Sequence, residues 1–251
     1  MEERPIGSLT LVIPVFNEES GIEKFHARLA DVVNALPSSC RFMYVDDGSS
    51  DRTGQILMGL AGHDPRVVII QLSRNFGHQA ALSAGMDMAD CDVLISLDGD
   101  GQHPPEKIPE MLALFQSGYD IVVTHRLETA TTGWFKRWTA QAFYRLINWL
   151  GDTHIPPGSS DFRLLSRSAL DALRRMPEYH RFLRGMVSWV GFRPVILPYL
   201  AGERLGGKSK YSLRKMLELA SDAIFSFSLV PVRLALGLGA AFFVLSLIEV
   251  C

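Results

Sequence analysis

From residue 9 to residue 126 the chain alternates short apolar runs with stretches of helical periodicity, and most of the apolar runs end in a polar cluster. Leu9–Phe16 (LTLVIPVF) is apolar without interruption, the pattern of a strand covered on both faces. Glu18–Leu36 follows, with Ile22, Phe25, Leu29, Val32 and Val33 at helical spacing. Phe42–Val45 is a second strand and runs into Asp46-Asp47-Gly48-Ser49-Ser50-Asp51, where Asp51 is placed to cap the next helix. Val67–Leu72 is a third strand and Phe76–Ala89 a helix; Asp92–Leu97 leads a fourth strand into Asp98-Gly99-Asp100-Gly101-Gln102. Pro104 and Pro105 open another helix, and Asp120–Thr124 closes the series. Repeated βα units predict an α/β domain with a mostly parallel sheet and helices on both faces. In such sheets ligands sit beyond the carboxyl ends of the strands. Asn17, Glu18, Asp46, Asp47, Asp98, Asp100 and Arg126 all fall there.

Two carboxylates one residue apart, at the end of a buried strand, call for a partner. Mg²⁺ or Mn²⁺ suits them, because these ions take oxygen ligands and share them with a diphosphate. Asp98, Asp100 and Gln102 are the candidate ligands. The net charge of -2 argues against a nucleic-acid partner. It also hides a polarity: residues 1–100 are rich in Asp and Glu, whereas residues 161–215 are rich in Lys and Arg. An acidic half for a cation and a basic half for phosphates suits one anionic, metal-bound substrate. Ordinary surface charge is the alternative. Cys40, Cys91 and Cys251 show neither metal nor disulfide spacing, which fits a reducing compartment, and Met-Glu-Glu-Arg-Pro does not read as a signal peptide.

Beyond residue 130 the pattern changes. Trp134–Leu150 carries three of the four tryptophans, with Phe135, Trp138, Ala142, Phe143, Leu146, Ile147 and Leu150 on one helical face and Lys136, Arg137 and Arg145 elsewhere. That is the composition of a helix lying in a membrane interface, or of an amphipathic helix packed on its own domain. From Ile224 to Val250 only Arg233 and Glu249 are charged. The uncharged stretch Leu234–Ile248 would make about 22 Å of helix against a hydrocarbon core of roughly 30 Å. Counted from Ile224, with Arg233 reaching back to the interface, it is long enough, and a transmembrane helix is expected. The division expected is 1–130 as an α/β core, 131–223 as a second region with amphipathic interfacial helices, and 224–251 as membrane segment.

Three strings together resemble the family 2 glycosyltransferases with a GT-A fold. They are Val12-Ile13-Pro14-Val15-Phe16-Asn17-Glu18, Val45-Asp46-Asp47-Gly48-Ser49-Ser50-Asp51-Arg52-Thr53 and Asp98-Gly99-Asp100-Gly101-Gln102. Three more look like the polyprenyl-phosphate branch, which includes dolichyl-phosphate mannose synthase and the bactoprenol glucosyltransferases. These are Arg74-Asn75-Phe76-Gly77-His78-Gln79, Ser160-Asp161-Phe162-Arg163 and Arg204-Leu205-Gly206-Gly207-Lys208-Ser209-Lys210-Tyr211. The resemblance implies a Rossmann-like GT-A core at 1–130 that binds a nucleotide-sugar, with 131–223 on the acceptor side. It assigns Pro14, Phe16, Glu18, Val45 and Asp47 to the nucleotide, and Asp98, Gly99, Asp100 and Gln102 to the metal-bound donor diphosphate. Arg126, Arg204 and Lys210 would neutralise donor or lipid phosphate; Arg126, Arg137 and Arg163 are the candidates for the acceptor phosphate. Asp161 matches the acidic residue proposed as catalytic, acting as general base or as orienter of Arg163 and the acceptor; a turn-capping role is the alternative. His78 and His103 carry no metal-ligand signal and read as structural or surface residues. Members of the family usually carry at least a pair of membrane helices after the catalytic domain, and this chain offers at most one.

The activity implied is inverting transfer of one sugar, with Mg²⁺ or Mn²⁺, from a nucleotide-sugar to a membrane polyprenyl phosphate for cell-envelope glycan synthesis or modification. UDP-glucose is the leading donor and undecaprenyl phosphate the leading acceptor, at the cytoplasmic face of the inner membrane. A lipid bilayer is then a partner, and self-association is compatible with the family. Two rivals remain. A processive polysaccharide synthase shares the strings through residue 102, but its Gln-x-x-Arg-Trp motif does not occur here. A non-catalytic, membrane-anchored nucleotide-binding module would leave the metal motif without use. A nicotinamide dehydrogenase is excluded, because no Gly-x-Gly-x-x-Gly follows the first strand.

Overall fold

A computed structural model of the chain describes residues 4–36, 38–127, 159–178, 181–202 and 230–250. The chain divides into two compact units, residues 1–132 with 158–209, and residues 133–157 with 210–251.

The first unit follows the expected alternation: β1 (Ser8–Val15), α1 (Ile22–Asn34), β2 (Ser39–Asp46), α2 (Thr53–His63), β3 (Val67–Gln71), α3 (His78–Met88) and β4 (Val93–Ser96). A single 3₁₀ turn, Pro105–Lys107, then leads into α4 (Ile108–Gln116) and β5 (Ile121–Leu127). The prolines at 104 and 105 thus open a 3₁₀ turn before the α-helix proper. The apolar faces read from the sequence are the buried ones. Ile22, Phe25, Leu29 and Val33 of α1 pack with Leu9, Leu11, Ile13 and Val15 of β1 and with Phe42 and Tyr44 of β2 in one core.

Two strands were not legible in the sequence. β6 (Ser159–Ser166) and β7 (Pro194–Leu200), with α5 (Arg167–Arg174) and α6 (Leu183–Trp189) between them, complete a seven-stranded sheet in the order β3-β2-β1-β4-β6-β5-β7. All described pairings are parallel except those of β6, which runs antiparallel to both β4 and β5. The sheet is therefore mixed, mostly parallel. The inserted strand has a functional consequence. Ser96 pairs with Arg163 and Val93 with Ser166, so the beginning of β6 lies at the carboxyl end of β4. Residues 159–161 thus reach the end of the sheet where Asp98 and Asp100 leave it.

The expected interfacial helix at 134–150 lies outside the described residues. In the second unit, α7 (Val230–Val250) forms inside the expected apolar segment. The transmembrane expectation is not supported: among the described residues no helix is long and apolar enough to cross a membrane. Arg233 and Glu249 bracket the apolar stretch, and the uncharged part is shorter than the hydrocarbon core, as the lengths above show.

One close packing contact fixes how α3 sits on the sheet. A Cβ on Gly85 would lie 2.4 Å from Val12 Cγ1 and 3.0 Å from Val45 Cγ2, both fully buried. Gly85→Ala gains about 1 kcal/mol of helix propensity, but overpacking typically costs about 1–3 kcal/mol. Neither valine can retreat from the centre of the sheet, so the packing term wins. A net loss of about 1–2 kcal/mol is expected in urea unfolding; an unchanged midpoint would show that α3 can slide outward.

Candidate active site

The polar clusters at the ends of β1 and β2 are bound mainly to each other. Asn17 takes a left-handed backbone (φ 51), donates its N–H to Ser49 Oγ at 2.9 Å and accepts the Ser50 N–H at 2.8 Å. The buried Glu18 donates its N–H to Thr53 Oγ1 at 2.8 Å, and its carbonyl accepts from Gly21 and Ile22. Asp46 accepts the Ser49 N–H, and Asp51 accepts the Thr53 N–H at the start of α2. Asp47 accepts from the Phe76 N–H at 2.7 Å and the Gly77 N–H at 2.9 Å. Burial pushes its carboxyl above the usual range, against the pull of those two N–H groups. Gly48 is required where the two loops touch: at φ +69, a Cβ would stand 2.5 Å from the Arg74 carbonyl carbon. Pro14 and Val45 are buried and paired in register, and Phe16 is half-buried beyond them. Phe76 is half-exposed, with the Arg74 guanidinium 4.7 Å from its ring centre.

The Asp98–Gln102 loop leaves β4 beside these clusters, since β4 pairs with β1. Asp100 Oδ1 accepts the Gln102 N–H at 2.9 Å, which closes the turn. Gly99 is pressed on β1; a Cβ there would meet Val15 Cγ1 at 2.8 Å. The Gly202 N–H, just past β7, donates to the Gln102 carbonyl at 3.0 Å. Asp98 Oδ1 is buried with no hydrogen-bond partner, and His78 Nε2 lies 3.6 Å from it. Among the described residues no group of three or more His, Cys, Asp or Glu forms a closed metal cage. An orphaned carboxylate oxygen beside a second carboxylate fits a hard divalent cation that takes its remaining ligands from substrate and water. Asp98 and Asp100 are the residues that would hold it.

His103 ties this loop to β6. Its Nδ1 accepts the Asp98 N–H at 2.9 Å, so the proton of the neutral ring sits on Nε2, 2.8 Å from Ser160 Oγ. The ring stacks on Phe162 with centres 5.3 Å apart.

Asp161, the next residue, is 3% exposed and collects the strongest interactions of the site. Arg163 Nη2 donates to its Oδ1; Arg184 donates from Nη2 to Oδ2 at 2.8 Å and from Nε to Oδ1 at 3.3 Å. His78 Nε2 lies 3.4 Å from Oδ2, and Gln79 Nε2 donates to the same oxygen at 3.4 Å. Burial raises the carboxyl, but Arg184, Arg163 and His78 outweigh it and hold Asp161 well below the usual carboxylate range. For His78, burial disfavours the charged ring, while Asp98 and Asp161 more than offset it and raise its pKa.

Several expected residues meet here. Asp98 and Asp161 share His78, and Asp47 holds the loop that carries it. Arg126 is exposed at the end of β5, in register with Tyr199. Arg163 is placed otherwise than expected for an acceptor-phosphate group. It is 2% exposed and donates to the Leu183 and Ser160 carbonyls as well as to Asp161, so its charge is committed beneath the site. Arg137, Arg204 and Lys210 lie outside the described residues. Arg184 and Gln79 received no role from the sequence. His78 and His103 read there as structural or surface residues, and both prove to be built into the site. Gln79 and His78 stood in the Arg74–Gln79 string; nothing near Arg184 singled it out.

Residues 10–174 match the glycosyl transferase family 2 model. Over 226 residues the chain is 43% identical to the uncharacterized glycosyltransferase YkcC of Bacillus subtilis (strain 168), covering 90% of this chain and 70% of that protein. Over 225 residues it is 39% identical to the bactoprenol glucosyl transferase of Shigella phage SfV, covering 90% of this chain and 73% of that protein. Its fold is similar to that of glucosyl-3-phosphoglycerate synthase from Mycobacterium tuberculosis in complex with Mn²⁺, UDP-glucose and phosphoglyceric acid. That match has a TM-score of 0.53 at 17% identity and covers 87% of this chain and 77% of the other. With its GT-A-like α/β core and the D-x-D loop at the end of β4, the chain belongs to glycosyl transferase family 2 and is a glycosyltransferase.

Proposed function

We propose that this enzyme moves a single hexose, with UDP-glucose the leading donor, onto the phosphate of a membrane polyprenol such as undecaprenyl phosphate, with inversion at the anomeric carbon. The observation that carries this reading is the pair of guanidinium groups on Asp161. A hydroxyl acceptor needs a base whose pKa lies near the working pH. Asp161, held ionised by Arg163 and Arg184, is poorly suited to take a proton. A lipid phosphate arrives already anionic and needs placement, not deprotonation. The similarity to a bactoprenol glucosyl transferase over 90% of the chain supports the same acceptor class.

In the displacement, a phosphate oxygen of the acceptor forms a bond to the anomeric carbon as the bond from that carbon to the donor diphosphate breaks. The nucleoside diphosphate leaves with the electron pair, and an α-linked donor gives a β-linked lipid product. Asp98 and Asp100 would hold Mg²⁺ or Mn²⁺, which when bound offsets the charge developing on the departing diphosphate. Asp161 acts as an orienter: it fixes Arg184 and, through His78, the carboxylate of Asp98. Glu18, Asp46 and Asp47 stiffen the loops that would bracket the nucleotide. Reaction at the cytoplasmic face of the inner membrane follows from the donor being a cytoplasmic metabolite and the acceptor a lipid. The exposed apolar side chains of α7, Leu236, Phe242 and Phe243 among them, are the described surface best suited to lipid contact.

The test is transfer from radiolabelled UDP- and GDP-sugars to undecaprenyl phosphate in detergent, with Mn²⁺, Mg²⁺ or EDTA. A single lipid-linked sugar formed only with metal is expected. Asp100→Asn should lower turnover by at least 100-fold with the fold intact; near-normal turnover would remove the D-x-D loop from the mechanism. Polymer, or no lipid product from any donor, would overturn the acceptor assignment.

Asp161→Asn leaves two guanidiniums beside a neutral amide, one of them fully buried. Breaking a buried pair in this way costs about 3–5 kcal/mol, to be read as a lower urea midpoint at pH 7. The folded pKa is depressed, so the stabilisation is fully present above the unfolded value of about 3.9 and fades as pH falls through the folded one. The gap between wild type and Asp161→Asn should therefore not close between pH 8 and pH 5; it should widen as pH falls through the titration of His78, whose pKa Asp161 helps to raise. A gap that closes below pH 6 would mean that Asp161 protonates in the working range and serves as a base.

A further inference from the structure

A single exposed apolar side chain is ordinary on a protein surface. Phe76, 50% exposed, is set apart by how its backbone is fixed and by what lies on its ring. The loop that carries it runs from β3 to α3. At one end the Leu72 N–H donates to the Asp46 carbonyl at 2.9 Å. At the other, the Phe76 and Gly77 N–H groups occupy the two oxygens of Asp47. Between them Gly48 lies so close to the Arg74 backbone that no Cβ fits there. Gly77 then turns the chain into α3 at φ +98. The loop is thus held to the end of β2 at three points, which leaves the Cα of Phe76 little freedom.

The Arg74 guanidinium lies over the ring, 4.7 Å from its centre. A cation there is attracted to the π-face and holds the plane of the ring. The ring is capped on one face and half exposed, so its other face is offered to solvent. Among the described residues the other exposed aromatics are Trp189, at the end of α6, and Phe242 and Phe243 of α7. Phe76 is the one beyond the carboxyl ends of the strands, where ligands of such sheets sit.

Sheet order sets the distance to the metal loop. Asp98 and Asp100 leave β4, and β1, β2 and β3 follow in that order. Asp47 and the loop it anchors therefore stand two strand spacings from β4, roughly 10 Å. A donor whose diphosphate is held at the end of β4 can cross β1 with its α-phosphate and ribose and bring its base to the end of β2, against Phe76.

We propose that Phe76 is the stacking surface for the nucleobase of the donor, with Arg74 fixing the ring from the opposite face and Asp47 fixing its backbone. This rests on the glycosyl-transfer reading above, which makes the donor a nucleoside diphosphate sugar. Every base has a π-face, so the ring holds uracil and guanine alike and adds affinity without choosing between them.

Phe76→Leu keeps the apolar bulk and loses the aromatic face; Phe76→Tyr keeps the face. The side chain is exposed, so both variants are expected to fold with the melting temperature of wild type. Calorimetric titration with UDP and with GDP, in Mg²⁺, reads the nucleotide and needs no acceptor. Inorganic pyrophosphate, which carries the diphosphate and no base, is titrated alongside. Phe76→Leu should raise the Kd of every nucleotide that wild type binds by at least about fivefold, with the pyrophosphate Kd and all constants of Phe76→Tyr within about twofold of wild type. A smaller rise in Phe76→Leu overturns the proposal. A loss shared equally by Phe76→Tyr, or by pyrophosphate, also overturns it and makes Phe76 a support for the loop on Asp47. Wild type that binds nucleotide but forms no lipid-linked sugar overturns the acceptor reading, while the comparison of variants still decides for or against Phe76. Wild type that binds neither nucleotide overturns both.

Discussion

A carboxylate at 3% exposure at the end of a sheet is tolerable because two arginines meet it, and three elements of the first unit converge on it. Isolated buried charge is strongly unfavourable, and a buried pair is better tolerated the more of its remaining donors are satisfied. Arg163 places its two Nη groups on Asp161 and on the carbonyls of Ser160 and Leu183, which pins α6 to β6, while its Nε is buried without a hydrogen bond. Gln79 does the same from α3, with one end on Asp161 and the other on the Leu183 N–H. Three elements distant in sequence are held to one carboxylate, so its position is over-determined before any ligand arrives. That is the condition for orienting a reacting group with no reorganisation at the moment of reaction.

Sheet register then brings this cluster to the Asp98–Gln102 loop. Had β6 run parallel to β4, as the other strands of the alternation do, its first residues would lie at the opposite end of the sheet. Because it is antiparallel, with Ser96 opposite Arg163, Asp161 emerges beside Asp98. His103 fixes the distance between the two segments. It accepts from the Asp98 backbone with one ring nitrogen and reaches Ser160 with the other, a role that requires the neutral ring with its proton on Nε2. His78 lies between the two carboxylates on the other side. A change at either carboxylate is therefore transmitted to the other through a single imidazole.

How much of this the sequence disclosed depends on the range of the interaction concerned. β1 to β5 and their helices were readable because uninterrupted apolar runs and helical spacing are local signals. The D-x-D loop and Asp161 were readable from short strings. β6 was not: SSDFRLLS mixes Ser, Asp and Arg with apolar residues, and its polar positions are explained only by long-range partners such as His103, Arg184 and Leu183. For the same reason the burial of Arg163 was not legible, since an arginine two residues from Asp161 gives no sign in the sequence of facing inward. Arg184 lies in a segment read as acceptor-side surface, and its role appears only when α6 is seen against β6. The expected membrane segment is helical where it is described, but charges at 233 and 249 flank its uncharged run, and among the described residues no helix is long and apolar enough to cross a membrane.

The polar residues at the strand ends sort into two kinds, and hydrogen bonding separates them. Asn17, Asp46, Asp47 and Asp51 have accepting oxygens on backbone N–H groups of neighbouring loops, and Glu18 is tied through its own backbone. Their first task is to hold irregular backbone in place, where an unpaired N–H would cost about as much as a lost hydrogen bond. Asp47 shows the arrangement most fully: its two oxygens hold the Phe76 and Gly77 N–H groups, and with about four lone-pair sites its accepting capacity is not used up by them. Asp98 is of the other kind, because its Oδ1 is buried at the end of β4 with no hydrogen-bond partner. The rings of His78 and His103 stand 3.6 and 3.7 Å from its two oxygens, too far for a hydrogen bond, so the Asp98 carboxylate is not spent on holding loop backbone in place as those of Asp46, Asp47 and Asp51 are.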